Sequence, residues 1–192
     1  DFDNDGALDL YIARRDADDL LLFGDGAGSF ARTSLGLAET AGASVAVGCA
    51  DLDGDGGVDV YVARDGEPNL LLANTIQQRG HWLALTLAGA DGNTTAVGAR
   101  VRVVADGRVQ RRDVVAGDGR GQVPHVLHVG LGAAAVADSV IVTWPDGDVE
   151  VRTGLVGDRR HTLVQDEDLT PVADGSTPAA TRLVAAYPNP FN

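Results

Sequence analysis

Apolar and polar positions alternate along most of this chain. In the run LDLYIAR, Leu8, Leu10 and Ile12 fall on one face, and Asp9, Tyr11 and Ala13 on the other. A period of two marks a strand rather than a helix. The same alternation recurs in ASVAVGCA (43–50), HWLALTLAG (81–89), VGARVRVVA (97–105), RVQRRDVVA (108–116), HVLHVGLG (125–132), DSVIVTWP (138–145), DVEVRT (148–153) and RHTLVQD (160–166). Gly, Asp and Asn separate the runs, as GDGAGSF, AGADGN, ADG and PDG, and these are turn-forming clusters. No stretch has helical period. The expected fold class is all-β.

The pattern also repeats on a larger scale. Residues 1–24 align without a gap on 51–74, with eleven identities: Asp1, Asp3, Asp5, Gly6, Asp9, Tyr11, Ala13, Arg14, Leu20, Leu21 and Leu22. A period of fifty is in the range of propeller blades and solenoid units. Past about residue 76 the repeat stops, and short strands with frequent turns suggest a small sandwich-like module. From 167 to 182, EDLTPVADGSTPAATR reads as a linker. The expected domains are two repeats over 1–75, a β-domain over 76–167, and a linker with the start of a further module over 168–192.

Each repeat opens on D-x-D-x-D-G-x-x-D. Asp1, Asp3, Asp5 and Asp9 form one set, and Asp51, Asp53, Asp55 and Asp59 the other. Calcium takes six to eight oxygen ligands, and alternate aspartates in a tight loop supply several of them. Gly6 and Gly56 permit the turn that follows. Without a cation, four neighbouring carboxylates repel one another. The first half of the loop is like an EF-hand, but position twelve is Ile12 or Val62, inside a strand, where an EF-hand carries Glu. The expectation is two β-flanked Ca²⁺ sites. Mg²⁺, which retains its waters, fits less well.

Composition narrows the partners. The 192 residues carry a net charge of −13, with 24 Asp and four Glu against fifteen Arg and no Lys. Such a chain repels nucleic acid and anionic lipid. No apolar run approaches the ~20 residues of a membrane-spanning helix. Cys49, the one cysteine, alternates with Val45 and Val47 and reads as a small buried thiol. His125 and His128 lie three apart on a strand, on opposite sides, so they are not expected to share a metal. Trp82 and Trp144 are expected in the core. Arg100, Arg102, Arg108, Arg111, Arg112 and Arg120 make a basic patch, either a solvated face or a surface for an acidic partner such as the repeats themselves. No nucleophile-and-base pairing or phosphate-binding loop stands out.

The two acidic loops, with DDLLLFGDGAGSF after the first and NLLLANT after the second, resemble the FG-GAP/VCBS repeat, the calcium-bearing blade unit of integrin-α-like β-propellers. HWLALTL, VGARVRV, RRDVVAGDG, LHVGLG and VIVTWPDGDVE resemble the ASPIC/UnbV domain that follows such repeats in cartilage acidic protein-like secreted bacterial proteins. The stretch GRGQVPH (119–125) departs from that family's Gly-Tyr-Leu-Ser-Gln-Ser-like turn. LVAAYPNPFN resembles the start of a C-terminal secretion or sorting domain. These resemblances imply terminal propeller blades followed by a β-sandwich-like domain, within a longer secreted or surface-attached bacterial protein. They imply a calcium-binding, non-enzymatic module for adhesion or interaction with an extracellular protein or glycan. An enzyme whose active site lies elsewhere in the propeller, and a plain structural spacer, are the alternatives. Ligand, blade count and oligomeric state are not legible.

Overall fold

A computed structural model describes residues 1–33, 42–77, 79–90, 92–117 and 125–166. The linker and sorting-domain expectations, Arg120 and most of GRGQVPH lie outside these residues. All regular structure among them is β, in thirteen strands.

Six short strands belong to the repeats. They are β1 (Leu10–Ile12), β2 (Leu20–Gly24), β3 (Phe30–Arg32), β4 (Ser44–Ala50), β5 (Asp59–Arg64) and β6 (Leu70–Leu72). They form two three-stranded antiparallel sheets, β1-β2-β3 and β4-β5-β6. The offset of fifty carries β1 onto β5 and β2 onto β6. β1 packs Tyr11 toward the second repeat, where Phe2, Val58, Val60 and Val62 form a small core with Leu21, Phe23, Leu70 and Leu72. Its other face stays open: Leu10 and Ile12 are 42% and 41% exposed, whereas the matching Val60 and Val62 are 5% and 0% exposed.

The remaining strands are β7 (His81–Ala88), β8 (Arg100–Ala105), β9 (Arg108–Asp113), β10 (Val126–Gly132), β11 (Val136–Thr143), β12 (Val149–Val156) and β13 (Arg159–Val164). One sheet runs β10-β7-β13 and the other β12-β11-β8-β9. β13 pairs parallel to β7, Arg159 opposite Leu83 through Val164 opposite Ala88. The two sheets enclose one core, built from Leu83, Leu85, Leu87, Val101, Val103, Val129, Val140, Val142, Leu163 and Trp144. Alternation does what it promised in β8: Val101 and Val103 point in, Arg100 and Arg102 out. The ADG signal becomes the β8–β9 hairpin, with Asp106 and Gly107 both at positive φ (47° and 74°). Trp82 differs from expectation. It lies beside the core, stacked on His128 with ring centroids 5.6 Å apart.

Candidate functional site

The two acidic loops share their turn hydrogen bonds, and the second adds one, from Gly54 N to Asp51 Oδ1 at 2.8 Å. Gly6 N donates to Asp1 Oδ2 at 3.0 Å, and Gly56 N to Asp51 Oδ2 at 3.2 Å. Ala7 N donates to Asp5 Oδ1 and Gly57 N to Asp55 Oδ1, both at 2.7 Å. Gly6 and Gly56 sit at φ 89° and 86°, a region open to glycine. The sequence repeat is therefore a repeat of backbone geometry.

Asp9 and Asp59 do more than line a loop. Asp9 Oδ2 accepts from Phe2 N and its Oδ1 from Gly24 N on β2. Asp59 accepts from Leu52 N and Asn74 N in the same way. Each ninth-position carboxylate ties loop, following strand and next strand together. Only the matched offsets Asp9–Gly24 and Asp59–Asn74 hint at this in the sequence.

Carboxylate oxygens of Asp1, Asp3 and Asp9 lie within 4.8 Å of one another, as do those of Asp51, Asp53 and Asp59. Asp5 and Asp55 stand outside these trios and turn an oxygen back to the backbone. Burial, with Asp5 and Asp9 close by, pushes the Asp3 carboxyl above its ordinary value. Asp1 is the most telling member. Its side chain is 2% exposed, and its Oδ1 is buried without a hydrogen-bond partner. A buried orphan oxygen is costly unless something positive meets it. The donor set is all oxygen, anionic and crowded, and it fits a hard divalent cation.

The loops also carry the junction between the two parts. Gly80 N donates to Asp3 O and Gly132 N to Asn4 O, both at 2.8 Å. Arg108 Nη1 donates to Asp5 O at 2.7 Å. On the second loop, Gly56 O accepts from Asn4 Nδ2 at 2.9 Å and from His128 Nε2 at 3.2 Å. Burial, then the Asp1 ammonium, lowers the His128 pKa to about 4. Within the basic patch, Arg108 and Arg112 turn toward the junction, as does Gln110 between them: Gln110 Nε2 reaches Gly130 O and Arg112 Nε reaches His128 O. Arg111 pairs with Asp113 on the outer face, and Arg100 lies 3.4 Å from the same carboxylate. The patch thus splits between a junction and a solvated face. His125 and His128 both border the cleft between β10 and the first repeat.

No helix among the described residues is long and apolar enough to cross a membrane, which leaves strand-built membrane proteins unaddressed. No curated protein matches the chain. Residues 1–62 match the family model of the FG-GAP-like repeat, and residues 89–170 match that of ASPIC and UnbV. FG-GAP repeats are propeller blades, so the sheets β1-β2-β3 and β4-β5-β6 are read as parts of such blades. The chain therefore carries FG-GAP-like repeats followed by an ASPIC/UnbV domain.

Proposed function

We propose that this chain is a calcium-binding, non-enzymatic interaction module of a secreted or surface-attached protein, with one Ca²⁺ in each acidic loop and an extracellular protein or glycan as partner. FG-GAP repeats are typical of extracellular proteins and often bind calcium, which supports the setting. The observation that carries the metal reading is the buried, partnerless Oδ1 of Asp1 within the Asp1–Asp3–Asp9 trio. Asp1, Asp3 and Asp9 would hold the first ion, and Asp51, Asp53 and Asp59 the second, with Asp5 and Asp55 adding charge nearby. Bound calcium would cancel carboxylate repulsion in the two loops whose carbonyls dock the second domain. Loop rigidity, blade packing and domain docking would then share one cation. Millimolar extracellular calcium fills sites with Kd around 10⁻⁴–10⁻³ M, whereas cytosolic calcium does not.

Thermal melts in excess EDTA and in millimolar CaCl₂ test this, with Asp3→Asn and Asp53→Asn alongside. A site held at 100 times its Kd adds ~2.7 kcal/mol, or about 5–10 °C for a chain of this size. Each variant should lose part of that rise. An unchanged midpoint would overturn the calcium reading, and turnover of a substrate by this chain would overturn the non-enzymatic one. Capture on secreted proteins and glycans that depends on calcium is the expected partner result.

A further inference from the structure

The two loops are reached by different side chains. Arg79, in the segment leading to β7, places Nη2 2.6 Å from Asp55 Oδ2 and donates from Nη1 to Asn74 O at 2.9 Å. The Arg79 side chain is 17% exposed and that of Asp55 43%, and the second bond to Asn74 O holds the guanidinium in place. The guanidinium lies against Gly57, where a Cβ would come within 1.9 Å of Nη1. The slot exists because residue 57 has no side chain. Fifty residues earlier, Ala7 fills the place of Gly57, while Arg79 lies past the end of the repeat. Asp5 meets no basic side chain among the described residues. Arg108 takes the Asp5 backbone carbonyl instead.

Resting on the calcium reading above, we propose that Arg79 is a resident counter-cation of the second loop and lowers that loop's affinity for calcium. The chemistry is charge counting. The second loop offers its carboxylates with a guanidinium already paired to Asp55, and calcium affinity follows the charge of the ligand set. A single positive charge a few ångströms from a divalent ion, in largely aqueous surroundings, changes its affinity by about tenfold.

Calorimetric titration of the 192-residue chain with CaCl₂ reads this directly, with Arg79→Gln and Arg79→Lys in parallel and thermal melts to show that each variant folds. Asp3→Asn should remove the step that belongs to the first loop and Asp53→Asn the step that belongs to the second. Arg79→Gln should tighten the second-loop step by about tenfold and leave the first-loop step alone. Arg79→Lys, which keeps the charge, should stay near the parent. A second-loop step that Arg79→Gln leaves unchanged or loosens would overturn the role of Arg79 while leaving the sites standing. No calcium heat from any variant would overturn the calcium reading itself, and this inference with it.

Discussion

The junction between the repeats and the second domain rests on a missing methyl group. A Cβ added at Gly130 would lie 2.1 Å from Asp1 Oδ2 and 2.6 Å from Asn4 C and Cα. The last two are backbone atoms and cannot swing aside. Gly130 shows no positive φ, so alanine suits its backbone and the substitution tests the contact alone. Gly130→Ala should therefore push the first loop off β10. Three junction hydrogen bonds would then be lost: Gly132 N to Asn4 O, Gly80 N to Asp3 O and Arg108 Nη1 to Asp5 O. At about 1 kcal/mol each, that is about 3 kcal/mol of coupling. Forcing the junction to stay closed would cost a similar 1–3 kcal/mol by overpacking. For a unit the size of the repeats, this lowers the midpoint by more than about 10 °C. Differential scanning calorimetry should show the transition of the repeats separating from that of the second domain. Gly48→Ala is the control, because nothing lies within 4 Å of its added Cβ. If Gly130→Ala melts as one unit at the parent midpoint, as the control should, the junction is not what couples the two parts.

Three further outcomes follow from named contacts. His128 has its folded pKa lowered to about 4, below its unfolded value near 6.5, so its contribution is complete above pH 6.5 and is lost as pH falls toward 4. Denaturant titrations across that window should lose up to about 3 kcal/mol, and His128→Gln should flatten the slope; an unaltered slope would assign the acid sensitivity elsewhere. Asp19, 1% exposed, accepts from Tyr11 Oη, Arg14 N and, across the repeats, Ser44 Oγ. Asp19→Ala should cost about 2–4 kcal/mol in chemical denaturation and Asp19→Asn clearly less, since Asn69 does the equivalent work beside Tyr61 and Arg64. Asp59→Asn should destabilise the chain by about 1–3 kcal/mol even in EDTA, because both of its oxygens accept backbone N–H groups. A loss seen only with calcium present would mean that Asp59 acts as a ligand and not as a latch.

Much of this molecule is legible in its pattern of residues, and the limits have physical causes. Strands such as β7, β8 and β11 announce themselves because one face must enter a core, and burial imposes a period of two. The repeat is legible because identical loop geometry demands identical Asp and Gly positions. The junction is not, because its acceptors are main-chain carbonyls of Asp3, Asn4, Asp5 and Gly56, which no side-chain pattern encodes. Trp82 reads as a core residue because it falls in a strand, yet Gly56 leaves room for its indole at the junction: a Cβ there would fall 1.9 Å from Trp82 Nε1. Nor does alternation say which face of β1 is covered. Leu10 and Ile12 look like core residues in sequence and stay open, while Tyr11 faces the second repeat. The parallel partner of β7 was equally hidden, since a strand's own residues do not record the direction of its neighbour.

That parallel pair has a mechanical consequence. β7 receives the chain from the repeats at its first residue, and β13 releases it toward residues 167–192 at its last. Tension applied between those two points pulls parallel neighbours past one another lengthwise. The ladder from Arg159–Leu83 to Val164–Ala88 is then loaded all at once and does not open rung by rung. A load passing through this domain meets its central strand in shear, the direction in which a β-sheet yields least readily.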